Sequence, residues 1–157
     1  MNNPRDLVTM IRFAWADARR PGRERIALPT YDDEGVSACF FDRTWEGHTA
    51  RQLRQLDFAP CILTQEAFAY YLPAYLIGDI EDPDISDTNM ERVLFWLDRD
   101  NVRNLDVPGT AVIDMLTAQQ RLALREYVLF VQRRERGLFD DECKKIIGQI
   151  DEAGAHV

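Results

Sequence analysis

The chain has 157 residues, 46% of them apolar and 29% charged, with a formal net charge of −8. That mixture belongs to a globular protein rather than a disordered one, and the length suits a single domain over 1–157. Lysine occurs only at Lys144 and Lys145, and the negative balance argues against nucleic-acid binding, which needs cations to neutralise phosphates.

Apolar residues recur at helical spacing almost throughout, so the expected fold class is all-α, a compact bundle of about six or seven helices. Asn3 as N-cap with Pro4 behind it opens a helix with Leu7, Ile11, Ala14, Trp15 and Ala18 on one face, closed by Pro21-Gly22. Asp33 is the expected cap of a second helix through Val36, Phe40 and Phe41, and a third runs near Thr49 to Leu56. Thr64 caps the central helix, with Glu66 in its first turn. Pro73 lies too deep to be an N1 proline. Its missing N–H frees the Ala69 carbonyl, so the helix is expected to kink or split there. Gly78 and Pro83 should stop it, leaving Asp79 to Asp87 as a polar connection.

Asp87 is the expected cap of a helix with a Met90, Val93, Leu94 and Leu97 stripe. Thr117-x-x-Gln120 makes a capping box for a long helix with Leu124, Tyr127, Val128 and Val131 inward, ending at Arg133, Arg134 and Arg136 before Gly137. Asp140 opens the last helix, with Cys143, Ile146, Ile147 and Ile150 on one face.

No catalytic or cofactor motif emerges. His48 and His156 are the only histidines, without C-x-x-C or H-x-x-x-H, so no zinc site is expected. Ser37 and Ser86 lie in no G-x-S-x-G, and the scattered glycines form no phosphate-binding loop. An EF-hand starting at Asp82 fails, because Asp87 and Val93 stand where the turn glycine and bidentate glutamate belong. Cys39, Cys61 and Cys143 are odd in number and well separated. They read as free thiols, with Cys39 and Cys61 buried. No window approaches the length of a membrane span, and Met1 to Asp6 carries no leader pattern, so the expected location is cytoplasmic, with no membrane partner.

What stands out is charge. Between Asp79 and Asp114 lie ten carboxylates and three arginines, 3 − 10 = −7. This stretch follows the aromatic run Ala67-Phe68-Ala69-Tyr70-Tyr71-Leu72-Pro73-Ala74-Tyr75-Leu76. That string, with Trp45-Glu46, Leu63-Thr64-Gln65-Glu66 and Leu116-Thr117-x-x-Gln120, resembles a family of small, uncharacterised bacterial α-helical proteins with an AF-x-YYLPAYL core, over about Tyr31 to Val131. In size and composition such proteins are similar to the immunity proteins encoded beside bacterial toxins. The resemblance implies no catalytic residues.

The expected function is therefore non-catalytic and needs no cofactor. An acidic patch would occlude a basic site on a partner protein, a toxin being the favoured instance. Glu81, Asp82, Asp84, Asp87 and Glu91 would pair with its Lys/Arg, while Phe95 or Trp96 adds apolar burial. The alternative is a small-molecule-binding protein or small enzyme with a pocket between the Tyr70 to Tyr75 segment and the final helices.

Overall fold

The computed structural model describes residues 3–28 and 35–155. Asn3 Oδ1 accepts the Asp6 N–H at 2.8 Å and Pro4 takes the first helical position, so α1 (Pro4–Ala14) starts as its sequence requires. It ends well short of Pro21-Gly22, after burying Leu7, Val8 and Ile11, and delivers Trp15 into the core at 1% exposure. Residues 26–28 then run against 62–64 in an isolated antiparallel bridge. Leu28 N donates to Ile62 O at 2.8 Å, and Thr64 N to Ile26 O at 2.9 Å.

The expected Asp33 cap lies outside the described residues. α2 (Val36–Phe41) starts instead from Gly35, whose φ of 87° is a left-handed value that suits glycine. Before α3 (Ala50–Gln55), Thr49 and Gln52 close a reciprocal capping box at 3.2 and 3.0 Å. A single turn, α4 (Ala59–Ile62), leads to the central helix, α5 (Gln65–Glu81), where Thr64 Oγ1 accepts the Ala67 N–H at 3.0 Å.

Along α5 only Glu66, Ala69 and Glu81 escape burial, as expected of a helix that is apolar around its whole circumference. Pro73 does not split it. The Ala69 carbonyl that Pro73 leaves without its helical donor accepts the Trp15 indole N–H at 3.0 Å, so α1 supplies what α5 lacks. Gly78 does not stop the helix either. A Cβ there would stand 3.2 Å from the Ala50 Cβ, so this glycine lets α5 and α3 approach closely.

The helix reaches Glu81, which puts Asp79 and Ile80 in its buried last turn rather than in a polar connection. Pro83 then begins α6 (Pro83–Ser86) at its N-terminal position. Asp87 is not a cap. It adopts φ 49° in the turn, and α7 (Asn89–Leu97) follows Thr88 without a side-chain cap while burying Met90, Val93, Leu94 and Leu97 as expected. Two short helices come next, α8 (Arg99–Asn104) and α9 (Val112–Met115).

The Thr117–Gln120 box of α10 (Ala118–Arg134) forms at 3.1 and 3.0 Å, and Leu124, Tyr127, Val128 and Val131 face inward. The final helix, α11 (Asp140–Ala155), buries Cys143, Ile146 and Ile150. Among the described residues the fold is all-α with eleven helices. The number exceeds expectation by the single turns α4, α6 and α9 and by the short α8, all of which spacing alone merges into connections. α1 packs on α5 and α10, α10 on α11, and α7 joins α5 to α8 and α11 around one buried cluster.

Replacing Trp15 with Phe should cost about 1–3 kcal/mol in urea unfolding, because the Ala69 carbonyl loses its donor. In a Pro73→Ala background the restored N–H satisfies that carbonyl, so the cost of Trp15→Phe should shrink. Equal costs in both backgrounds would show that the indole contributes packing alone.

Candidate protein-binding surface

The acidic stretch is less acidic in space than in sequence. Asp79 has 3% side-chain exposure and is clamped by Arg134, at 3.0 and 3.2 Å, and by the Tyr127 hydroxyl at 2.7 Å. Burial pushes its carboxyl up by more than Tyr127 and Arg134 pull it down. Arg54 lies 3.5 Å from Asp87 and Arg99 lies 3.2 Å from Asp114, while Lys145 spans Asp98 at 3.0 Å and Asp100 at 3.1 Å. Burial alone would raise the Asp98 carboxyl, but hydrogen bonds from Gln149 and Lys145 hold it below the usual range. Glu81, Asp82, Asp84 and Glu91 are exposed and enter no ion pair among the described residues.

Of the two aromatics on α7, Phe95 is 44% exposed, whereas Trp96 is partly buried and packs against the core. Their rings meet edge to face at 5.1 Å. A groove of about 200 Å³ runs between α7 and α11, floored by Leu94, Phe95, Phe139 and Ile146 and rimmed by Glu91 and Glu142. Asp98 and Asn101 line one end, and Asn101 Nδ2 donates to the Phe95 carbonyl at 3.0 Å. Among the described residues no Lys or Arg lines this groove, although Lys145 holds Asp98 at its end. Phe139 and Glu142 were not singled out in the sequence, because only the α10–α11 turn brings them opposite α7.

The expected site residues do not converge. Glu91 and Phe95 line the groove, Glu81 and Asp82 line a second cavity, Asp84 stands exposed on α6, and Asp87 is held by Arg54. That second cavity, of about 170 Å³, lies beside α5 as the alternative reading expects, but against α3 and the Trp45–Gly47 turn rather than the final helices. Tyr70, Tyr71 and Tyr75 are buried and do not line it. The Tyr71 hydroxyl donates to Phe40 O at 2.5 Å and lies 3.0 Å from Arg43 O, whereas the Tyr75 hydroxyl has no hydrogen-bond partner.

His48, 9% exposed, stacks on Phe40 at 4.7 Å and meets the Tyr71 ring edge at 5.4 Å, with both ring nitrogens closed off from solvent. Cys61 is exposed, contrary to expectation, and desolvation raises its thiol, so it is not an activated nucleophile. Glu66, in the first turn of α5, is exposed and pairs with Arg25 at 3.0 Å. No group of three or more metal-ligating side chains occurs among the described residues, and no helix there is long and apolar enough to cross a membrane.

A family model described as a family of unknown function, DUF6714, matches residues 3–147. The chain belongs to the DUF6714 family. No curated protein and no solved structure matches it. The matched span carries both walls of the groove in this DUF6714 protein, from Glu91 to Ile146.

Burial, partly offset by the Phe40 backbone carbonyl and reinforced by the nearby Arg43 cation, lowers His48 from 6.5 to about 4. The folded state then binds its proton less readily than the unfolded chain. The stability gained from a neutral His48 is complete above pH 6.5 and is lost as pH falls towards 4, by up to about 3 kcal/mol. Asp79, shifted upward, works in the opposite sense at the acid end. Denaturation of wild type and His48→Phe at matched pH isolates the histidine: the variant should lack this loss between pH 6.5 and 4. Parallel pH profiles would show that His48 is not the group responsible.

Proposed function

We propose that this DUF6714 protein is a non-catalytic binding module that seats a basic segment of another protein on the groove between α7 and α11. The observation that carries the reading is Phe95, an exposed aromatic on an apolar floor rimmed by Glu91 and Glu142, neither of which enters an ion pair among the described residues. An apolar anchor enclosed by charge is the usual composition of an interface hot spot. The partner would place an apolar side chain between Phe95 and Phe139 and Lys or Arg against the two glutamates. Glu81, Asp82 and Asp84 add an outer negative field that speeds encounter without forming part of the contact. Within this class we favour neutralisation of a toxin in the cytoplasm, by blocking a basic catalytic or substrate-binding site in a one-to-one complex. Likeness in size and composition to immunity proteins supports that choice.

The test is capture of partners from the source cell at low and high salt, followed by titration of the purified partner against wild type, Phe95→Ser and Glu91→Lys/Glu142→Lys. All three substituted positions are solvent-facing, so the variants should fold. A basic partner should lose about tenfold or more in affinity with each variant, and high salt should slow its association with wild type. A partner bound equally well by all three proteins would place the interface elsewhere and overturn the reading.

A further inference from the structure

The groove between α7 and α11 is shaped for an apolar side chain flanked by cations, and the chain carries such a segment itself. After α10 the backbone passes through two left-handed residues, Arg136 at φ 53° and Gly137 at φ 81°, and the Gly137 N–H closes the turn on the Gln132 carbonyl at 3.2 Å. Leu138 follows at 74% exposure, the highest of any large apolar side chain among the described residues, while its neighbour Phe139 lines the groove. Arg133 and Arg136 are exposed and enter no ion pair among the described residues, whereas Arg134 between them is engaged by Asp79. The turn thus offers one apolar side chain with two unpaired cations. The groove offers the inverse, an apolar floor with Glu91 and Glu142 unpaired on its rim.

Building on the docking reading of the groove, we propose that a second copy of this chain fills it when no other partner is present. Leu138 of each copy lies against Phe95 and Phe139 of the other, and Arg133 and Arg136 meet Glu91 and Glu142, in both directions at once. Leu138 and Phe139 are consecutive, so a two-fold axis beside the turn sets the anchor of each molecule opposite the groove of the other, as an isologous contact requires. The groove volume of about 200 Å³ equals roughly seven waters at ~30 Å³ each, room for one leucine side chain. One turn and one groove per copy make a contact smaller than the ~800 Å² per partner of a standard interface. The dimer is therefore weak, with Kd on the order of 100 μM, and a tighter basic partner displaces it.

The test is sedimentation velocity of the purified full chain across concentrations bracketing that Kd, at low and high salt, with no other protein present. Wild type should move from monomer towards dimer as concentration rises, more strongly at low salt. Leu138→Ser should weaken the dimer tenfold or more. Charge reversal of the turn, Arg133→Glu/Arg136→Glu, and of the rim, Glu91→Lys/Glu142→Lys, should each abolish it. All five positions are exposed, so the variants should fold. Mixing the two charge-reversed proteins should restore association, because each then offers the other a complementary turn and groove. Monomer at every concentration, a dimer that Leu138→Ser leaves intact, or no recovery on mixing would each sink the proposal. A monomeric wild type whose rim variant still loses a captured basic partner would remove the dimer and keep the docking reading. Recovery on mixing, with a captured partner indifferent to the rim, would do the reverse.

Discussion

A helix buried on nearly every side has no water with which to complete its backbone, and α5 carries a proline in that setting. The indole N–H of Trp15 at the Ala69 carbonyl resolves the conflict, and much of the architecture follows from it. Because the donor comes from the end of α1, that helix must lie across α5, and α10 then covers α1. The small residues Gly78 and Ala50 bring α3 close on another side. The core is thus organised around satisfying one helix rather than around a uniform stripe on each element.

Asp79 shows the same constraint acting on charge. It falls in the buried last turn of α5, where an isolated carboxylate would be very costly. Arg134 reaches it with paired contacts from the far end of α10, while Tyr127 donates from one face of the same helix. The clamp joins the end of the central helix to the end of the longest peripheral one. It also withdraws from the surface both the first acid of the acidic segment and one arginine of the Arg133 to Arg136 cluster.

Local chemistry was legible in the sequence wherever a signal acts over three or four residues. The Asn3, Thr64 and Thr117 caps, the α7 stripe and the inward face of α10 all follow from such short-range rules. Signals that depend on a distant partner were not. Pro73 reads as a break until Trp15 is placed, Gly78 reads as a stop until Ala50 is placed, and Asp79 reads as surface until Arg134 is placed. The site divides in the same way. Glu91 and Phe95 were recognisable from composition, but their opposite wall, Phe139 and Glu142, comes from the turn before α11 and its first turn, far along the chain and without a motif. Net charge over a window misled for a related reason, since Arg54, Arg134 and Lys145 reach in from outside that window to neutralise it.

The three tryptophans occupy unlike surroundings: Trp15 and Trp45 are enclosed in the core, whereas Trp96 is only partly buried, edge-on to the exposed Phe95. Intrinsic emission therefore comes from two fluorophores with almost no exposed surface and one beside Phe95 at the groove. The quencher-accessible fraction of the signal belongs to Trp96, and with it the spectral response to whatever occupies the space between α7 and α11.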